Sequence, residues 1–136
     1  MIVANLDANV LISALLFEGT PQTVLRAAIA GKFELVLSPA IIQELATVLA
    51  RPKFGFPQDY VHNVSREIEE ISILVQPTHH HEADVRDPKD QIIIDCAVEA
   101  GSDYIVTGDQ DLLVLKQVAE VAIVSPGEFL DLAELR

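Results

Sequence analysis

Residues 2–14, Ile2-Val3-Ala4-Asn5-Leu6-Asp7-Ala8-Asn9-Val10-Leu11-Ile12-Ser13-Ala14, decide the fold. Residues 2–6 are an almost unbroken apolar run, the pattern of a strand buried on both faces. Asp7 ends the run in a position to cap a helix, and residues 8–16 follow with helical character. The same rhythm repeats along the chain. Thr20-Pro21 starts a helix that runs to about Ala30 and is closed by Gly31. Phe33 to Leu37 is a short strand, and Ser38-Pro39 starts a helix through about Ala50, stopped by Arg51-Pro52. Lys53 to Pro57 is a loop. Residues 58–72 form a more polar helix with Val61, Val64, Ile68 and Ile71 at helical spacing. Ile73-Leu74-Val75 is a short strand, and Gln76 to Arg86 a polar loop. Asp87-Pro88 opens a helix to about Ala100, ended by Gly101. A strand over 103–107, a short helix over 109–116, a last strand over 121–124 and a helix over 126–133 complete the chain. Alternating strands and helices predict an α/β fold, a parallel sheet with helices on both faces.

The length of 136 residues suggests one domain spanning 1–136, and half the residues are apolar, ample for a single core. Nine basic residues stand against 21 acidic ones, a formal net charge of −12. That balance argues against broad, non-specific nucleic-acid binding, which uses a basic surface. It leaves room for a nucleic-acid enzyme whose metal ions invert the local potential, and for a basic protein partner. The single cysteine, Cys96, excludes an intramolecular disulfide and a cysteine-based zinc cage, and its apolar surroundings read as those of a buried small hydrophobe. Met1-Ile2-Val3 lacks a basic leader and no apolar stretch reaches membrane-spanning length. A cytoplasmic location and no membrane association are the expectation.

Several acids stand where a core should not need them. Asp7 ends the first strand; it serves as a helix cap or as a site residue, and the two are compatible. Glu44 falls between Ile41 and Val48, at the edge of the apolar face that carries Leu45. Asp90 shares a helix face with Ile93, Ile94 and Ala97, so its carboxylate should point inward. Asp87 reads as the cap of that helix, and Asp95 as a residue of its solvent side. Thr107-Gly108-Asp109-Gln110-Asp111 follows a strand, with Gly108 allowing a tight turn and one acid free to cap the next helix. Parallel strands would gather these acids at the carboxyl edge of the sheet, where open α/β sheets place their sites. Acids so gathered repel one another unless a cation neutralises them. Oxygen ligands without His or Cys suit Mg²⁺ or Mn²⁺. His79-His80-His81 reads as a solvated loop, since consecutive residues do not readily face one ion.

The segments Leu6 to Ala14, Ser38-Pro39 with Glu44-Leu45, Asp87-Pro88-Lys89-Asp90 and Tyr104 to Leu113 together resemble the PIN domain, in the branch that includes VapC-like toxins of toxin–antitoxin pairs. The resemblance covers residues 1 to about 130. It implies a three-layer α/β/α sandwich with a central parallel sheet and a metal-dependent endoribonuclease using Mg²⁺ or Mn²⁺. Asp7, Glu44, Asp90 and Asp109 match the family's acidic quartet, which would serve as metal ligands and catalytic residues. Asp111 matches an additional acid, expected as a supporting acid or a further metal ligand, and Asn9 a polar residue near the first Asp. Ala8 departs from the pattern, since many relatives carry Thr or Ser there. The acidity of the chain departs too. RNA as substrate, a homodimer and a cognate antitoxin are further implications. Arg86 and Lys89, which bracket Asp90, are expected at substrate phosphate, with Asn9 and Thr107 nearby. Two competing readings are a catalytically silent PIN-like interaction module and a phosphoaspartyl protein of the receiver or phosphatase kind. The second is weakened by Asn9, where the phosphatase type needs an Asp, and by Asp109, which occupies the region where a receiver needs a Lys.

Overall fold

The computed structural model describes residues 1–136. Its elements run β1 (Val3–Leu6), α1 (Ala8–Leu16), α2 (Thr20–Ile29), β2 (Glu34–Leu37), α3 (Pro39–Leu49), a 3-10 turn (Pro52–Phe54) and α4 (Gln58–Ile71). Then follow β3 (Ser72–Leu74), α5 (Pro88–Ala100), β4 (Tyr104–Val106), α6 (Gln110–Leu113), β5 (Gln117–Val118), β6 (Val121–Val124) and α7 (Pro126–Leu132). One sheet holds all six strands in the order β3-β2-β1-β4-β6-β5. The pairs β1–β2, β2–β3, β1–β4 and β4–β6 are parallel, and only β5 pairs antiparallel with its neighbour β6. No helix is long and apolar enough to cross a membrane.

Period-two alternation of the strands explains the layers. Ala4 and Leu6 of β1, Leu35 and Leu37 of β2 and Val106 of β4 point to one face, into a core shared with α1, α2, α3, α4 and α7. Ile105 and Ile123 point to the other face, against Ile93, Ile94 and Ala97 of α5 and Leu112 of α6. On that second face Asn5 is buried as well. Its Nδ2 donates to Cys96 Sγ at 3.4 Å and its Oδ1 accepts from the Ser102 hydroxyl at 2.5 Å, so a polar residue inside a buried strand is satisfied. The Cys96 thiol donates onward to the Val75 carbonyl at 3.4 Å, and burial pushes its pKa up to about 11. It is the inert, buried cysteine that the sequence suggests.

Helix boundaries follow their caps. Asp7, Ser38, Asp87, Asp109 and Ser125 each accept a backbone N–H in the first turn of the helix they open. Gly101 ends α5 in the left-handed conformation at φ 68°, where a side chain is strained. The sequence-based reading differs from the structure most between residues 109 and 120. The helix expected over 109–116 stops at Leu113, and β5 turns back onto β6 as a short hairpin. Ala119 takes φ 52° in that turn, so the usual Gly or Asn signal of a tight turn is missing.

Candidate metal centre

The chain winds outward from β1 through β2 to β3, then returns to lay β4 on the other side of β1. The order therefore reverses between β1 and β4, and a crevice opens there beyond the carboxyl ends of the strands. Leu6 is paired with Val106, so Asp7 and Thr107 leave the sheet side by side. The Asp7 amide donates to the Val106 carbonyl at 3.2 Å and the Thr107 amide to the Val124 carbonyl at 3.0 Å, which fixes both residues at the last rung.

Asp7, Glu44, Asp87, Asp90 and Asp109 line one cleft at this place, together with Asn9 and Lys89. The four acids singled out from sequence thus come from four separate segments, the ends of β1 and β4 and the faces of α3 and α5. Asp7 is only 9% exposed. One of its oxygens accepts from the Val10 amide at 2.9 Å and the other from the Thr107 hydroxyl. Burial raises its pKa. The Thr107 and Val10 hydrogen bonds oppose that rise, and the charges of Asp109 and Glu44 add to it. Asp90 is 8% exposed, and its pKa is pushed up to about 6, first by burial and then by the charges of Asp109, Asp87, Asp111 and Asp7. Asp109 caps α6 through a hydrogen bond from the Asp111 amide at 2.9 Å, and its own amide donates to the Thr107 hydroxyl at 3.0 Å. Thr107 thus links the two strand-end acids.

Thr107 requires a correction. Expected beside substrate, it is fully buried, with its hydroxyl between Asp7 and the Asp109 amide. Its part is to orient Asp7 and Asp109. Asp111 stands outside the cleft lining, exposed, with Arg86 Nη2 at 3.5 Å. Lys89 Nζ lies 3.0 Å from Glu44 Oε1, and Glu44 holds the ammonium above its usual pKa range. Of the two cations expected at phosphate, Lys89 is thus paired with an acid of the cleft and Arg86 with Asp111 outside its lining. Sequence reasoning gave Asp87 only a capping role, yet it also lines the cleft. Its place three residues before Asp90, on the same helix side, was the available signal.

Asp95 also requires a correction. Expected on the solvent side of α5, it is 8% exposed. The 76–86 loop folds back over that side of the helix, and Asp95 Oδ1 accepts from the His81 amide at 2.7 Å and from Gln91 Nε2 at 2.9 Å. His79 Nδ1 lies 3.1 Å from Glu99, and His80 Nδ1 only within 3.9 Å of Asp95. The loop lies as a strap across α5, and His79 and His80 stay exposed to solvent on it, as the sequence suggests.

The donor set consists of carboxylate oxygens with no His or Cys, and two of its acids are destabilised as anions by burial and by their neighbours. A hard divalent cation would relieve both penalties, so the residues fit Mg²⁺ or Mn²⁺ in their chemistry. No group of His, Cys, Asp or Glu side chains is drawn into a finished coordination shell, and Glu44 faces Lys89 instead.

The profile of the PIN domain matches residues 4–111. Sheet, crevice and profile together define an α/β protein of a nuclease fold, and the chain belongs to the PIN domain family. PIN domains are commonly nucleases and typically use divalent metals. The chain has no match among curated proteins.

Proposed function

We propose that this PIN domain is a metal-dependent endoribonuclease that hydrolyses RNA phosphodiester bonds, and that it is the toxin of a toxin–antitoxin pair. The observation that carries the nuclease reading is the convergence of Asp7, Glu44, Asp90 and Asp109 on one crevice at the point of strand reversal. Asp7, Asp90 and Asp109 would hold Mg²⁺ or Mn²⁺. The bound metal supplies Lewis-acid stabilisation of charge on the phosphate and lowers the pKa of water. The protein's own part is positioning. Thr107 keeps Asp7 and Asp109 aimed at the crevice, and the Asp7 and Asp109 caps hold both side chains on helix starts. Glu44 would orient a water or help to hold a second metal, and Lys89, now 3.0 Å from its Oε1, would serve substrate phosphate. Arg86 serves a neighbouring phosphate, and Asn9, exposed at the cleft, contacts the substrate.

The toxin and antitoxin roles rest on the family resemblance. The net charge of −12 favours a basic partner. Exposed Ile29, Tyr60 and Ile71 border a groove between α1, α2 and α4, which supports burial of that face in a homodimer or under an antitoxin. A catalytically silent interaction module is the second reading, favoured by the Lys89–Glu44 pair.

The test is cleavage of structured and single-stranded RNAs in Mn²⁺, Mg²⁺ or EDTA, with Asp7→Asn and Asp90→Asn purified alongside. Metal-dependent cutting lost in both variants supports the nuclease. Cutting that survives both substitutions removes the assignment of the site, and a folded wild type that cuts nothing favours the silent module.

A further inference from the structure

A second, larger groove adjoins the acidic cleft, and the two share Ile41, Glu44 and Lys89 as a common wall. The cleft has a volume of about 80 Å³, room for an ion and a few waters. The groove has about 350 Å³, at the lower end of small-molecule sites and close to the size of one nucleoside. Its floor is aliphatic, formed by Ile41 and Val48 of α3 and Ile92 of α5. Its rim carries the amide of Gln43 and the hydroxyl of Thr47, paired with each other at 3.3 Å and both exposed. Arg51 stands on the same groove, exposed and without a salt bridge, an unpaired cation in a strongly acidic chain.

We propose that this groove is a nucleobase subsite, which seats one base of the RNA beside the bond to be cut. The inference deepens the ribonuclease reading and rests on it for the identity of the polymer. A flat base lies against the aliphatic floor, where burial of its face is favourable. Gln43 and Thr47 offer donors and acceptors to its edge, the kind of contact that discriminates between bases. Arg51 and Lys89 neutralise the phosphates on either side of that nucleotide. The shared wall leads the chain from the groove into the acidic cleft. The occupant is a single base and not an apolar protein helix, because an amide, a hydroxyl and two cations surround the small aliphatic floor.

The experiment is a titration followed by ¹⁵N–¹H correlation spectra, using the four nucleoside 5′-monophosphates and ribose 5-phosphate with the whole chain. At least one nucleotide is expected to shift the amides of Thr47, Val48 and Ile92, binding about tenfold or more above ribose 5-phosphate. Thr47→Trp and Gln43→Trp, which fill the groove from its exposed rim, are expected to abolish that preference while the spectra show an intact fold. Equal binding of ribose 5-phosphate would mean a phosphate contact only and would overturn the subsite. Unchanged nucleotide binding in both tryptophan variants, or no shift with any nucleotide, would overturn it too. Base binding without RNA cleavage would leave the subsite standing and remove the ribonuclease reading. Cleavage without base binding would do the reverse.

Discussion

At the residue scale, the two strand-end acids are joined by a buried threonine. Thr107 gives its hydroxyl to Asp7 and accepts the Asp109 amide, which supplies the support that Ala8 cannot. Thr107→Val should leave the Asp109 amide without this acceptor and cost about 1–3 kcal/mol in thermal unfolding. It should also weaken Mn²⁺ binding by about tenfold or more, since groups that orient ligands matter nearly as much as the ligands. Thr107→Ser should restore most of both, and equal losses in Val and Ser variants would contradict the hydroxyl's part. Asp90 gives a second prediction. Its folded pKa of about 6 lies above the ordinary 3.8, so the folded state binds its proton more tightly than the unfolded chain. Metal-free protein should therefore lose stability as pH rises from about 4 to about 6, on the order of 2 kcal/mol from this group alone. In Asp90→Asn that loss should shrink. An unchanged pH profile of the melting temperature in the variant would show that the carboxylate does not carry the penalty.

At the element scale, α5 does two jobs. Its inner face packs Ile93, Ile94 and Ala97 on the sheet and its first turn brings Asp87 and Asp90 to the crevice. Its outer face is strapped by the 76–86 loop through Asp95 and Glu99, and the strap leads directly into Arg86 and Asp87. Short contacts to Thr78 and His79 pull the Glu99 pKa down to about 2, first through the Thr78 hydroxyl. Asp95→Ala should free the strap and leave the His81 amide unpaired. Its amide exchange should quicken about tenfold or more, matching a loss of 1–3 kcal/mol in local stability. Unaltered exchange at His81 would mean that the strap is held elsewhere. A helical wheel placed Asp90 inward correctly, because its neighbours on that face belong to the same helix. It placed Asp95 outward wrongly, because what covers Asp95 comes from a loop with no periodicity to read. The β5 hairpin was hidden for a related reason. Two residues carry no alternation, and Ala119 gives no turn signal.

At the scale of the whole molecule, the decisive fact is topological. Asp7 and Asp109 lie 102 residues apart, and only the parallel pairing of β1 with β4 makes them neighbours. The apolar runs that end in acids were legible as strands, and the carboxyl-edge rule then predicted the gathering of Asp7, Glu44, Asp90 and Asp109. Which acid faces a cation of the chain itself was not legible, since Lys89 reaches Glu44 from another helix. The central claim is that these strand-end and helix acids share one metal. Mn²⁺ binding measured by calorimetry near pH 7.5, in wild type and in Asp7→Asn, Asp90→Asn and Asp109→Asn, tests it most directly. The account predicts binding by the wild type that each substitution weakens by about tenfold or more, with the fold intact. Binding of equal strength in all four proteins would place the metal elsewhere and contradict the account.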